Sequence, residues 1–197
     1  MCRSTVIAAV ICFAGAAGAQ VRHWAETPNE TIWRTLYTNC DKGYAVDLPA
    51  GIVAHASHPP SPNHGFLISA SNPGTTAEVT YEDPRVIGVF DEYDAAELGS
   101  ARAYLDLELK SVPKKNVLQI QNTVFQGLRG VHARYRVNAK ETAHLNESLI
   151  VFRKDGLVYH LILQTTDNHY AADSALFAQI RSGFRLLTIR EGECFNQ

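Results

Sequence analysis

Apolar and polar residues alternate along much of this chain, and two stretches switch to a three- and four-residue spacing. Gly43-Tyr44-Ala45-Val46-Asp47-Leu48 sets Tyr44, Val46 and Leu48 on one side, and Pro49 closes the run, which predicts a strand. Ala54 to Gly65 holds three prolines without periodicity and predicts a loop. Phe66 to Ala70 predicts a short strand, Ser71 to Thr76 a turn, and Val86 to Phe90 another strand. Asp94 followed by Glu97 has the form of a capping box, in which each side chain satisfies a backbone N–H at a helix start. Leu98, Ala101, Leu105, Leu109 and Val112 then share one helical face, and Pro113 stops the helix.

Four strands are predicted next. Val117 to Thr123 is the first, and Val131, Ala133, Tyr135 and Val137 alternate with His132, Arg134 and Arg136 in the second. Ser148 to Phe152 is a continuous apolar run, as suits a strand covered on both faces. Asp155-Gly156 reads as a two-residue hairpin turn into Leu157 to Thr165. A second helix is expected from about His169 to Ser182, with Ala172, Leu176, Phe177 and Ile180 inward and Gly183 as its end cap. Runs of strands with few helices argue for α+β: a mostly antiparallel sheet with two main helices packed on it.

The N-terminus changes the picture of where the protein works. Arg3, the apolar run Val6 to Ala14 and the small residues Ala17-Gly18-Ala19 form a signal peptide, residues 1–19, cut before Gln20. Acylation of Cys12 is the alternative, but Ile11 stands where a lipoprotein signal needs a small residue. The later sequence has no run of about 20 apolar residues, so no transmembrane anchor is expected after signal removal. Residues 20–39, with Trp24, Trp33 and Tyr37 among polar neighbours, read as an N-terminal arm, and 40–197 as a single globular domain. The exported protein is then periplasmic or extracellular.

With 18 basic and 20 acidic residues interspersed, the chain lacks the concentrated positive patch that nucleic acid requires. Export leaves Cys40 and Cys194, which in an oxidising compartment read as one disulfide; a reactive thiol or half a metal site is the other reading.

Two short patterns add a resemblance. Gly43-Tyr44-Ala45-Val46-Asp47-Leu48-Pro49-Ala50-Gly51 is similar to an "aromatic-x-Val-x-x-Pro-x-Gly" opening strand. Val158-Tyr159-His160-Leu161, then Tyr170, Phe177, Ile180, Ser182 and Phe184, resemble a closing strand and helix. Both patterns resemble the Mog1/PsbP-like superfamily of α/β/α sandwiches. Here Ile52 replaces a frequent aromatic, and Gly183 is inserted inside the Ser-Phe pair. The resemblance implies an accessory, assembly or partner-binding role, and it carries over no functional residue, because the matching positions are structural.

Candidate chemistry is sparse. His55, His58 and His64 have spacing that suits Zn²⁺ or Cu²⁺ with Asp83 or Asp91 as a fourth ligand. A Pro-rich loop aims imidazoles poorly, so they are expected to point in different directions, with no cofactor. Glu141-x-x-His144 has the spacing of a helical metal pair but stands in a polar stretch. His132, Arg134 and Arg136, joined by His160 from a nearby strand, form a candidate face for an anionic ligand or acidic partner; a solvated face of paired charges is the alternative. No Gly-x-Ser-x-Gly elbow, HExxH or phosphate-binding glycine loop is present, although a dispersed triad leaves no such trace. The expected function is recognition of another envelope or extracellular protein or a small ligand. The alternative is a hydrolase or metal-dependent enzyme sited near the histidine loop.

Overall fold

Two antiparallel sheets and two helices take up the apolar runs. The computed structural model describes residues 32–57, 64–80, 82–92, 98–138, 143–190 and 193–196. The elements are β1 (Ile32–Trp33), β2 (Leu36–Asn39), β3 (Tyr44–Asp47), β4 (Ala54–Ala56), β5 (Gly65–Ser69), β6 (Val86–Glu92) and α1 (Ala101–Glu108). They continue with β7 (Val117–Phe125), β8 (Leu128–Asn138), β9 (Ala143–Phe152), β10 (Val158–Thr165), α2 (Tyr170–Gly183), β11 (Phe184–Arg190) and β12 (Glu193–Asn196). Eight strands form one sheet in the order β1-β4-β5-β6-β10-β9-β8-β7, and four form a second, β12-β11-β3-β2. The β10 strand runs antiparallel to both β6 and β9, as β8 does to β7 and β9.

Period-two alternation assigns side chains to the two faces of the large sheet. Val131, Ala133, Tyr135, Ile150 and Val158 face α1 and pack with Ala101 and Leu105. Leu149, Val151, Tyr159, Leu161 and Leu163 face the other way, against Phe177 and Ile180 of α2 and Tyr44, Val46 and Phe184 of the small sheet. The sheet is thus buried on both sides, which is why β9 reads as a continuous apolar run. Leu105 is fully buried, and truncating such a side chain to alanine costs about 2–5 kcal/mol.

Several boundaries differ from the sequence reading. Ser100, whose hydroxyl accepts from the Ala103 N–H at 3.1 Å, caps α1; Asp94 and Glu97 lie outside the described residues. The stretch read as an arm supplies β1 and β2 from Ile32 onward. His55 sits on β4, in the stretch read as loop. In α2 the inward position is Asp173, and Ala172 is exposed.

The turns also exchange roles. Only Gly156 has positive φ in the β9–β10 connection, where the Gly156 N–H bonds Arg153 O at 3.0 Å and the Arg153 N–H bonds Leu157 O at 2.8 Å. The two-residue turn with both φ positive is instead Gln126-Gly127, between Phe125 and Leu128. Gly183 is no left-handed cap: a Cβ there would lie 2.2 Å from Asp47 O, so its bare backbone lets α2 end against β3. Phe184 then starts β11 at once, a strand the sequence reading lacked.

Candidate functional site

Buried polar side chains gather at several places, three of which hold candidate site residues, and the first is built on Asp91. This residue continues the apolar run of β6 by one position, and its carboxylate is 0% exposed. It accepts from Tyr44 Oη at 2.8 Å, from His64 Nδ1 at 3.1 Å and from Asn39 Nδ2 at 3.3 Å. Tyr37 Oη extends the cluster by accepting from the Gly65 N–H at 3.2 Å and from Asn39 Nδ2 at 3.4 Å. Desolvation pushes the Asp91 carboxyl up, and hydrogen bonds from Tyr44 and His64 offset only part of that. Burial likewise pushes the Tyr37 hydroxyl up to about 12 and raises that of Tyr44.

His64 is 36% exposed at its side chain. An ionised Asp91 holds the proton on Nδ1 and leaves Nε2 as the accepting nitrogen, which is how a carboxylate orients a general base. Among the described residues no hydroxyl or thiol is hydrogen-bonded to Nε2. His55 is buried elsewhere, with Nε2 3.0 Å from Thr75 O, and His58 lies outside the described residues. The Asp83 carboxylate accepts from the Thr80 N–H at 3.2 Å within its own turn. No group of three His, Cys, Asp or Glu that could hold a metal exists among the described residues. Glu141 is outside them as well, and His144 stands on β9 opposite Val137 of β8.

The second place lies beneath α1. Tyr135 Oη donates to Glu108 Oε1, and Ser148 Oγ donates to the same oxygen at 3.3 Å. His160 Nε2 is 3.2 Å from Ser148 Oγ and 3.7 Å from Glu108 Oε1. Serine, histidine and carboxylate therefore meet, but through a single ring nitrogen. A catalytic triad needs the two nitrogens of the imidazole to bridge nucleophile and acid. Ser148 is also 0% exposed. The cluster is a polar patch of the core, and burial with the neighbouring Glu108 charge raises the Tyr135 hydroxyl.

The third place is the opposite face of β8. His132 Nε2 is 2.8 Å from Glu147 Oε1, and Tyr170 Oη donates to Glu147 Oε2 at 2.6 Å. Arg134 donates to Tyr170 Oη at 3.2 Å and lies 5.5 Å from that ring's centroid, and Arg136 pairs with Asp167 at 3.1 Å. Burial alone would raise Glu147, but hydrogen bonds from His132 and Tyr170 and the charges of His132 and Arg181 bring it below its ordinary value. In this row His132 and Arg136 each meet a carboxylate, whereas Arg134 meets the Tyr170 hydroxyl and ring. His160 does not join it, because its register partner Ile150 faces α1 whereas His132 pairs with Leu149 on the α2 side. Glu147 and Tyr170 were missed as members of this face, and Asp91 was named only as a fourth metal ligand, not as the partner of Tyr44 and Asn39; the available signal was a carboxylate set inside an apolar strand.

An open cleft of about 500 Å³ lies between the start of α1 and the β7–β8 hairpin. Ser100, Arg102, Asn122, Thr123, Val124 and Arg129 are among its walls. Arg102 also pairs with Asp106 at 2.9 Å. No described helix is long and apolar enough to cross a membrane.

No protein-family model matches the sequence, and no curated protein matches it. Solved structures are similar to it, among them the following three. The solution structure of cyanobacterial PsbP (CyanoP) from Synechocystis sp. PCC 6803 is 15% identical, covers 83% of this chain and 96% of its own, and has a TM-score of 0.53. A Bacteroides thetaiotaomicron crystal structure is 10% identical over 81% of this chain and 50% of its own, with a TM-score of 0.50. The Mycobacterium tuberculosis protein LpqN, titled as involved in cell envelope biogenesis, is 14% identical over 80% of this chain and 92% of its own, at a TM-score of 0.49. With its sheet order, its two helices and the likeness to PsbP, the chain has the PsbP/Mog1-like α+β fold.

Proposed function

We propose that this chain is an exported, non-catalytic accessory protein that acts by recognising a partner protein or small ligand. The observation that carries this reading is the contrast between the open α1–hairpin cleft and the converging acid, base and hydroxyl groups, which are buried and bonded to one another. The cleft mixes Val124 with Arg102, Arg129 and Asn122, a surface suited to recognition. The test is co-purification of the tagged chain from its native host, beside Arg129→Glu and Asn122→Trp variants that alter charge and fill the cleft. Loss of the bound species in both variants, with unchanged circular dichroism, is expected. An identical set of bound species in all three proteins would remove the cleft from the proposal.

Export and oxidation belong to the same reading. The intact mass of exported protein should begin at Gln20. Cys40 packs beside Ala45 and Leu187, while Cys194 is the register partner of Ile189 on the strand that carries Leu187; both facts support pairing of the two cysteines. Non-reducing peptide mapping should link them, and closing so long a loop contributes roughly 4–5 kcal/mol in the chain-entropy account.

The His64–Asp91 pair favours a second reading, a hydrolase or metal-dependent enzyme around the histidine loop. Its test is turnover of ester, amide and phosphoester substrates by wild type and His64→Ala, with melting in millimolar Zn²⁺ alongside. A wild-type activity abolished by His64→Ala, or a chelator-reversible rise in Tm, would put this reading first.

A further inference from the structure

We propose that two copies of this chain pair through β7, antiparallel about a two-fold axis at Gln121, to continue the large sheet from one molecule into the next. This proposal shares Val124 with the cleft wall, but its readout, sedimentation of the purified chain, needs no cleft ligand. It starts from an edge. The β7 strand ends the eight-stranded sheet and, among the described strands, pairs only with β8. An edge strand offers a row of N–H and C=O groups to any other strand, and proteins usually guard it with a charge, a proline or shortness. The other edge of this sheet is guarded by shortness, since β1 has 2 residues. The β7 edge has none of these guards: 9 residues, Val-Leu-Gln-Ile-Gln-Asn-Thr-Val-Phe, hold no charged side chain and no proline.

The pattern within β7 selects the occupant. Leu107, Leu118 and Val124 are the large apolar side chains exposed among the described residues, and two of the three are on this strand. Leu118 is 40% exposed and Val124 69%. They stand at equal distances on either side of Gln121, the midpoint of Val117–Phe125. Antiparallel pairing of two β7 strands about that midpoint sets Leu118 opposite Val124 of the second copy, twice. It also sets Ile120 opposite Asn122 and Gln119 opposite Thr123. Leu118, Ile120, Asn122 and Val124 meet on the α1 side, and Gln119, Gln121 and Thr123 lie with Phe125 on the other. No like charges face one another, so the strand is complementary to itself. The register shift between Val117 and Gln119 falls at Leu118, so Leu118 meets Val124 of the second copy at a bulge while Gln119 to Phe125 pair regularly.

The test is sedimentation of the full exported chain over a wide concentration range. It compares wild type, Leu118→Lys, Val124→Lys, and the double variants Leu118→Lys/Val124→Lys and Leu118→Glu/Val124→Lys. A wild-type dimer is expected. Each single substitution is expected to weaken it about tenfold, because the symmetry axis doubles the loss of a cross-strand pair. The double-lysine variant should be monomeric. In the Glu/Lys variant the introduced charges oppose each other across the axis, so dimerisation should return to within a few-fold of wild type. These positions are exposed, and circular dichroism checks that each variant is folded. A wild type monomeric at every concentration would overturn the proposal, as would a dimer indifferent to the lysines or a Glu/Lys variant that fails to recover.

Discussion

Asp91 and Asp173 are the same residue type, both almost wholly buried, yet their carboxyls move in opposite directions. Burial is the largest influence on each and pushes both up. At Asp173 it is outweighed: Arg85 donates from Nε at 2.8 Å and from a terminal nitrogen at 2.5 Å, and the Thr165 hydroxyl donates as well. A bidentate guanidinium compensates a buried carboxylate with full charge and fitting geometry. At Asp91 the donors include a phenol, an amide and a half-exposed imidazole, and burial prevails. Burial alone therefore does not predict how a carboxylate behaves. The charge state and geometry of its donors do.

The largest expected effect tests the stronger pair. Asp173→Ala leaves Arg85 without its carboxylate and should lower stability by about 3–5 kcal/mol in urea denaturation. Asp91→Ala strands donors rather than a guanidinium and should cost about 1–3 kcal/mol. Equal losses would erase the distinction.

The pH dependences should have opposite signs. A lowered folded-state pKa means that the Asp173 contribution is complete above the ordinary carboxylate range and is lost as pH falls through the folded value. A raised one means that ionised Asp91 opposes folding at neutral pH, and its penalty disappears as pH falls through the folded value toward the unfolded one. Measured across that acid range, wild type should lose ground to Asp173→Asn and gain on Asp91→Asn. Parallel curves would show that the two sites titrate alike.

The smallest effects come from single donors. Tyr44→Phe removes a hydrogen bond from Asp91 and should destabilise by about 1 kcal/mol while moving its carboxyl further up. Thr165→Val removes one from Asp173 and should cost about 0.5–1 kcal/mol, because Arg85 still holds the carboxylate.

The two carboxylates also mark where sequence reading stopped. Alternation in Val131 to Val137 assigned Val131, Ala133 and Tyr135 to the core, and all three are buried. Phe177 and Ile180 were recognisable from helical spacing, because one buried stripe repeats every three or four residues. Asp173 occupies that same stripe, but its partner Arg85 is distant in sequence, so nothing local marks it as the inward residue in place of Ala172. His160 and His132 were grouped because strands close in the chain carry them, with β9 lying between the two. Register alone sends them to opposite faces, and a shift of one residue reverses that assignment.

What the sequence by itself determined is the set of local choices: strand or helix from the apolar period, the helix stop before Pro113, and the α+β class with its antiparallel sheet. These depend on neighbours a few residues apart, where sterics and periodicity act. Tertiary structure decided which glycine makes the tight hairpin, that Gly183 serves close packing against Asp47, and that Phe184 turns at once into β11. It also decided the company of every buried polar group. Tyr44 meets Asp91, His160 meets Ser148, and Arg85 meets Asp173 only after β3, β6, β9, β10 and α2 have docked. Desolvation and hydrogen-bond geometry arise between elements far apart in the chain, and no period within one element encodes them.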